Sequence, residues 1–456
     1  MRMKPLYIST LCLSLACASV FPSYAADVTE EAVTRIVVQG STLEDFFTAA
    51  LDYSPELRIS RDRLNISSAR KKAANGELLP QLSASGSVSD NNQLDNVRDV
   101  RNKYRGERYS VQLTQVLFNW SAFSARSAAY LAEDQAEAEY YAQLSYVLTD
   151  VAEKYFEVLQ AEDAVTSINA EVETFRNQLR QIESLYELQS AQITDLYNAQ
   201  ARFAAVQAEQ LTRESELALA REKLRSVSGV GVGELYRLNE AIEIPSVEGN
   251  VETWLERARN GNQQIIAREY AVRAANKRID QRQGAYMPSV SIVAQQQSSN
   301  LGYDNTLSNS TDSSYIGLNV TVPLFAGGRN RAGVNEARSQ HSIAQNELRQ
   351  IQLEIVERTR LAFLQAKSSE LQITAAERLA ESTALSYTAM QRGFELGTVN
   401  SVDVLNALRD RFAAERDLQR ARYDHIRYNL LLKREAGILS ADDLLDVGSW
   451  LIAPQN

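Results

Sequence analysis

The chain carries one unit twice. Val116-Leu117-Phe118-Asn119-Trp120 ends an alternating stretch and opens a very long helical one. About 207 residues later, Pro323-Leu324-Phe325-Ala326-Gly327-Gly328 does the same. Pro80 matches Pro288, Leu117-Phe118 match Leu324-Phe325, and Asp195, Asn198 and Ala199 match Asp403, Asn406 and Ala407, at spacings of 207 to 208 throughout. Matches that keep one offset over such a length mean internal duplication. Any fold for this chain must satisfy the same strand-to-helix junction twice.

The helices follow from what is missing. From Ser121 to Ser228 there are 108 residues with neither Pro nor Gly, rich in Ala, Glu, Gln, Leu and Arg. Apolar residues recur at spacings of three and four, as in Leu144, Leu148, Val151, Tyr155 and Val158. A single break near Gln189 makes the first helix 68 residues, or about 100 Å long. Taken alone, this segment would also suit a soluble coiled coil. Copy two repeats the plan from Gly328 to Gly393, breaks at Gly397 and resumes from about Val402 to Ala436. Shorter helices are expected over about Leu43–Asn75 and Val251–Gln283.

Strands come in pairs. Leu82, Ala84, Gly86 and Val88 alternate with serines, and Tyr109, Val111 and Leu113 alternate mostly with polar residues. Val290, Ile292 and Ala294, then Ile316, Leu318, Val320 and Val322, repeat this in copy two. Period-two alternation gives one apolar and one polar face. The polar segments Asp90–Glu107 and Gln296–Ser313 read as exposed hairpin loops.

The N-terminus reads as an export signal. Arg2 and Lys4 precede an apolar stretch from Leu6 to Val20, and Ser23-Tyr24-Ala25 supplies a cleavage site after Ala25. Both cysteines, Cys12 and Cys17, fall inside it, so the mature chain would hold no disulfide or thiolate site. Ser14-Leu15-Ala16-Cys17 lacks the large apolar residue expected before a lipid-accepting cysteine. Removing the signal takes the formal net charge from −10 to −12, which argues against a nucleic-acid partner.

Past the signal, no run of apolar residues is long enough for a helical span. Insertion in a bilayer must then use strands. Four strands cannot stand alone there, because the outer two would expose unpaired backbone groups to hydrocarbon. They must close between chains: two chains would give eight strands and a filled interior, three would give twelve and an open one. Small polar residues on the inner face favour the open lumen. A soluble sheet covered by a helix would show the same alternation.

Nothing points to catalysis. His341 and His425 both sit in helical runs and read as helix-face residues. No phosphate loop, nucleophile elbow or metal cluster is legible, and no cofactor is expected.

Several short motifs stand in fixed order: Ala50-Leu51 with Ser54-Pro55-Glu56-Leu57, Leu79-Pro80-Gln81-Leu82, Gln115-Val116-Leu117-Phe118, Met287-Pro288-Ser289-Val290, Val322-Pro323-Leu324-Phe325-Ala326-Gly327-Gly328, and Gly397 through Ala407. In these the chain resembles TolC-type outer-membrane factors over nearly all of its mature length. The resemblance implies a mixed α/β membrane protein, mostly α, with two tandem repeats. It implies a homotrimer in which each chain gives four strands to a 12-stranded β-barrel and its helices to a periplasmic tunnel. The barrel–tunnel junction would be built by Pro80, Leu117, Phe118, Pro288, Pro323, Leu324 and Phe325.

The resemblance also places a gate. Asp403 matches the position of an acidic ring at the constriction, and Asn406 matches one that in well-known members is a second aspartate. Asp195 matches a residue that latches the closed iris onto an arginine and a tyrosine; here those positions hold Val399 and Phe394, so the latch must differ. By itself Asp195 suits a helix-capping role beside Thr194, and Asp403 suits a first-turn acid. The tips Leu396, Gly397, Thr398 and Leu188, Gln189, Ser190 would meet a periplasmic adaptor, the first keeping the family's central Gly and the second not.

The implied organisation is a signal (1–25), repeat 1 (26–228), an equatorial linker (229–250), repeat 2 (251–437) and a C-terminal tail (438–456). The implied partners are a periplasmic adaptor, an inner-membrane ABC or RND transporter and outer-membrane lipid. The function expected is a passive exit duct for type I secretion or efflux. The alternative is an exported coiled-coil scaffold or adaptor. Cargo is not legible.

Overall fold

A computed structural model describes residues 39–40, 42–95, 99–239, 242, 244–300 and 311–453. The proposed signal, Cys12 and Cys17 lie outside the described residues.

Repeat 1 runs α1 (Leu43–Tyr53), α2 (Pro55–Gly76), β2 (Gln81–Asp95), β3 (Val100–Asn119), α3 (Trp120–Glu187) and α4 (Ile193–Ser228), after a short β1 (Gln39–Gly40). Short strands β4 (Gly231–Val232) and β5 (Arg237–Leu238) follow. Repeat 2 runs α5 (Val251–Gly261), α6 (Gln263–Gln283), β6 (Ser289–Ser299), β7 (Thr311–Thr321), α7 (Arg329–Glu395) and α8 (Ser401–Glu435). The chain closes with α9 (Ala441–Ser449) and β8 (Leu451–Ile452). The break expected near Gln189 is present, and α3 has the expected 68 residues.

Each of the two shorter helices expected from sequence is in fact a pair. Ser54 ends α1 and caps α2, its hydroxyl accepting from Leu57 N, with Pro55 at the first helical position. Asn262 does the same between α5 and α6, accepting from Gln264 N and donating to the Glu435 carbonyl at 2.9 Å. A residue that satisfies orphan backbone groups on both sides lets the chain turn without a loop.

The sheet has the order β2-β3-β6-β7, antiparallel throughout, so β2 and β7 are its free edges. Among the described residues, the segments expected as loops are largely strand. β2 and β3 pair as far as Asp95 and Val100, and β6 and β7 as far as Ser299 and Thr311. Backbone pairing continues beyond the point where apolar alternation stops, because the ladder is held by N–H and C=O groups that every residue except proline carries. Register sets Leu82, Leu113, Ile292 and Leu318 on one face and Ser83, Ser85, Gln112 and Asn319 on the other.

The two junctions differ. A bulge at Leu117 shifts the β3–β6 register, and β3 then runs straight into α3, whose first turn is capped by Asn119 accepting from Ala122 N at 3.1 Å. Phe118 packs near Phe123. β7 instead stops at Thr321, and residues 322–328 form neither strand nor helix. Pro323 lacks an N–H for the ladder, and Gly327 and Gly328 both take positive φ. Leu324 and Phe325 stand almost fully exposed.

The main core lies at the middle of the long helices. Phe46, Tyr155, Phe156 and Tyr423 stack edge to face or tilted at 5.8 to 6.0 Å, surrounded by Leu224, Leu235, Leu444 and Val447. Each such fully buried side chain contributes about 1.5–3 kcal/mol. β1 pairs with β4 and β5 with β8, so the linker and the C-terminal segment wrap this region. A second cluster toward the tips joins Ile168, Val172, Phe175, Ala199, Leu405, Leu408 and Phe412 from α3, α4 and α8.

The repeats bury unequal faces. Ala267 and Ala274 of α6, which packs on α3, are each 2% exposed. Their counterparts on α2 are Ile59 and Ile66, 52% and 50% exposed. Likewise Gly284 presses on the start of α3, where a Cβ would meet Ser121 N at 2.6 Å, while its counterpart Gly76 faces open space. α4 and α7 also carry exposed leucines, among them Leu211, Leu219, Leu364 and Leu371.

Candidate functional site

The α3–α4 and α7–α8 turns superimpose in their bonding. After α3, Gln189 N donates to Tyr186 O at 2.9 Å and Ser190 N to Leu185 O at 2.8 Å. After α7, Gly397 N donates to Phe394 O at 2.9 Å and Thr398 N to Gly393 O at 2.8 Å. Gln189 and Gly397 both occupy the left-handed region, with φ of 59° and 74°. Glutamine therefore takes the conformation that glycine takes in the other copy, at a cost of about 1–2 kcal/mol. Leu188 and Leu396 project from the two tips with 74% and 80% of their surface exposed.

Asp195 lies at the third residue of α4. Its Oδ2 accepts from Gln192 N at 3.2 Å, a reciprocal cap of the helix start. Its Oδ1 accepts from the buried Ser401 hydroxyl at 2.9 Å. This bond ties the first turn of α4 to that of α8, where sequence offered only Val399 and Phe394. Val399 instead closes its own turn, lying where a Cβ on Gly393 would be.

Asp403 occupies the matching place in α8 but is exposed and has no such partner; its backbone N–H donates to the Asn400 cap at 2.9 Å. Asn406, one turn on, accepts from Arg202 of α4 at 3.2 Å. The structure thus brings Asp195, Asn406 and Asp403 to the adjoining starts of α4 and α8.

Further along, polar cross-links that the sequence reading missed bind α3 to α8. Arg416 donates to the buried Glu171 at 2.6 Å. Burial pushes the Glu171 carboxyl up, against the pull of Arg416. The Tyr423 hydroxyl donates to Asp163 at 2.6 Å, and burial raises it strongly too. Arg427 reaches Glu153 at 2.8 Å. The copies themselves held the clue: Glu171 and Arg416 correspond to Leu379 and Ala208 in the other repeat, so these charges arose on one side only. His425 is buried between α7 and α8, where Nδ1 meets the Ser369 hydroxyl at 2.8 Å and Nε2 meets Asn429 at 3.1 Å.

Among the described residues no helix is long and apolar enough to cross a membrane, and no cluster of potential metal ligands occurs.

A family model described as "Outer membrane efflux protein" matches residues 47–230 and again 254–437. The chain belongs to the outer membrane efflux protein family. The double match begins 207 residues apart, the offset of the duplication. The outer membrane protein TolC of Salmonella enteritidis is 28% identical over 91% of this chain and 86% of its own. The alkaline protease secretion protein AprF of Pseudomonas aeruginosa is 25% identical, covering 88% and 85%. The fold matches that of the outer membrane protein VceC from Vibrio cholerae, with a TM-score of 0.74 at 18% identity over 87% of this chain and 96% of that one. This family member is an outer-membrane exit duct, its relatives are channel proteins rather than enzymes, and the scaffold alternative is not favoured.

Proposed function

We propose that three copies of the chain close a barrel of twelve strands, four from each, over a tunnel of helices. The observation that carries this is the set of faces left open in one chain. β2 and β7 are unpaired edges, untenable in hydrocarbon. Ile59 and Ile66 stand exposed where their counterparts pack, and Gly76 lacks the helix start that Gly284 has. Pairing β7 with the next chain's β2 would set α7 of one chain against α2 and α4 of its neighbour and bury these faces together.

In that assembly Asp403 contributes an acidic ring at the tunnel's inner end. Asp195–Ser401 and Arg202–Asn406 hold the α4 and α8 starts together around it. The tips at Leu188–Ser190 and Leu396–Thr398 are the contact points for a periplasmic adaptor, which joins the duct to an inner-membrane ABC or RND transporter. The cargo class is type I secreted protein or efflux substrate. Residues 229–250 and the C-terminal segment form the belt at the tunnel's middle, and Pro80, Leu117, Phe118, Pro288, Pro323, Leu324 and Phe325 mark the rim where barrel meets tunnel.

The test is the mass of the detergent-extracted protein together with its conductance in planar bilayers. A trimer that forms channels is expected. A monomer, or a trimer without conductance, overturns the reading. Gly76→Val is expected to block trimer formation while leaving helix content unchanged.

A further inference from the structure

Below Asn91 and Gly106, short of Asp95 at the outer end of β2, the polar face of the sheet is neutral except at one position. Over Gln81–Asn91, Gly106–Val116, Ser289–Ser299 and Thr311–Thr321, the residues on that face are mostly serine, threonine, asparagine and glutamine, with occasional valine, tyrosine and glycine. The exception is Arg108. Register places it opposite Ser87 of β2 and Ser299 of β6. Its own strand sets Gly106 and Ser110 on either side, and the diagonal neighbours are Ser85, Ser89 and Gln297. None of these is acidic. Arg108 makes no ion pair among the described residues, and its buried Nε has no hydrogen-bond partner. A guanidinium commonly finds a planar anionic partner for its fixed fork of donors, so an unpaired one on a hydroxyl-lined wall is incomplete.

Closing a barrel does not supply that partner. β3 is an interior strand, hydrogen-bonded on both sides to strands of its own chain. Its flanking neighbours are therefore the same in a monomer and in any assembly. Contrast Arg105, on the apolar face, whose Nε lies 3.3 Å from Glu107.

We infer that Arg108 is an anion-binding site in the barrel lumen, taking phosphate, sulfate or carboxylate groups. The inference rests on the trimeric reading, under which three copies of Arg108 stand at one height. Arg108 is half-buried among small hydroxyl neighbours and Gly106, and its Nε can donate to an anion without displacing an internal partner. The duct then carries opposite charges along its length, Arg108 in the barrel wall and Asp403 at the tunnel tip.

The experiment is single-channel recording of the purified full-length protein with inositol hexakisphosphate added to one side at a time. Block of current is expected from the barrel side and not from the tunnel side. Arg108→Gln should weaken that block by on the order of tenfold, because it removes the positive charge at every copy of the ring. Arg108→Lys should retain most of it, and Arg105→Gln should leave it unchanged. A conducting R108Q channel with undiminished block overturns the inference while leaving the channel reading intact. Absence of conductance in the unaltered protein overturns both.

Discussion

The Ser401 hydroxyl donates to the Asp195 carboxylate at 2.9 Å and joins the first turns of two helices that are 206 residues apart in sequence. A second side-chain bond, Arg202 to Asn406, also holds the α4 and α8 starts to each other. A buried hydroxyl on a carboxylate is worth about 1.5 kcal/mol, or roughly tenfold in an equilibrium. Ser401→Ala is expected to raise the open fraction of the channel by several-fold, and Ser401→Ala with Arg202→Ala by more. Mean single-channel current over long recordings measures it; an unchanged closed fraction in the double variant would show that these bonds do not latch the gate.

Gly397 has open space where a Cβ would sit, so Gly397→Ala tests backbone conformation alone. The left-handed φ costs alanine about 1 kcal/mol. Faster hydrogen exchange is expected at the Thr398 and Val399 amides, which close this turn onto Gly393. The complementary Gln189→Gly should slow exchange at Ser190 and Ala191. Equal protection in variant and parent would mean the turn tolerates alanine.

Asp403 is exposed, and the next polar position along the helix is the amide Asn406. Three carboxylates in a narrow pore attract cations. Millimolar trivalent cation on the tunnel side is expected to block current less than in channels with two acidic rings. Asn406→Asp should strengthen the block and Asp403→Asn abolish most of it. Identical block in all three proteins would remove Asp403 from the constriction.

Burial lowers the His425 pKa from 6.5, outweighing the bonds from its ring to the Ala366 and Pro245 carbonyls and the pull of Glu370, with Lys367 adding to the fall. Ser369 and Asn429 contact its two nitrogens. Because the folded value is lower than the unfolded one, the neutral ring's stabilisation is full above about pH 6.5 and is lost as pH falls below it. Thermal midpoints measured from pH 7 to 5 should fall, and less steeply in His425→Gln. Parallel curves would mean that other groups carry the acid sensitivity.

The Glu171–Arg416 pair offers a test the repeats design for themselves. Glu171→Leu alone strands Arg416, 16% exposed at its side chain, and is expected to cost about 3–5 kcal/mol. Adding Arg416→Ala copies the Leu379 and Ala208 of the other repeat and should recover a large part of it. Urea midpoints of the single and double variants decide; additive losses would argue against a shared cause.

How much of this was readable beforehand varies by element, for physical reasons. The end of α3 could be placed from sequence because Gly397 marks the break in the other repeat, 208 residues on from Gln189. Asn262 could not be read as a helix break, since its effect depends on a bond to the Glu435 carbonyl far along the chain. The outer half of the β2–β3 hairpin was hidden because pairing there is carried by backbone, and side-chain alternation has already faded. At the start of α4, capping by Asp195 was legible, being local. Its bond to Ser401 was not, because only the packing of α3, α4 and α8 brings those residues together.

Ala267 and Ala274 suffice on α6, where α2 carries Ile59 and Ile66. Covalent linkage explains why the two seams can differ so much. α6 meets α3 within one polypeptide, so the chain itself keeps the partners at high effective concentration and a modest contact is enough. A seam between separate molecules must recover the lost freedom of association from apolar area, and branched aliphatic side chains supply it. In the proposed trimer, fusion of two ancestral units would free half the joints of the ring from the demands of assembly, leaving those positions open to small residues and closer helix approach.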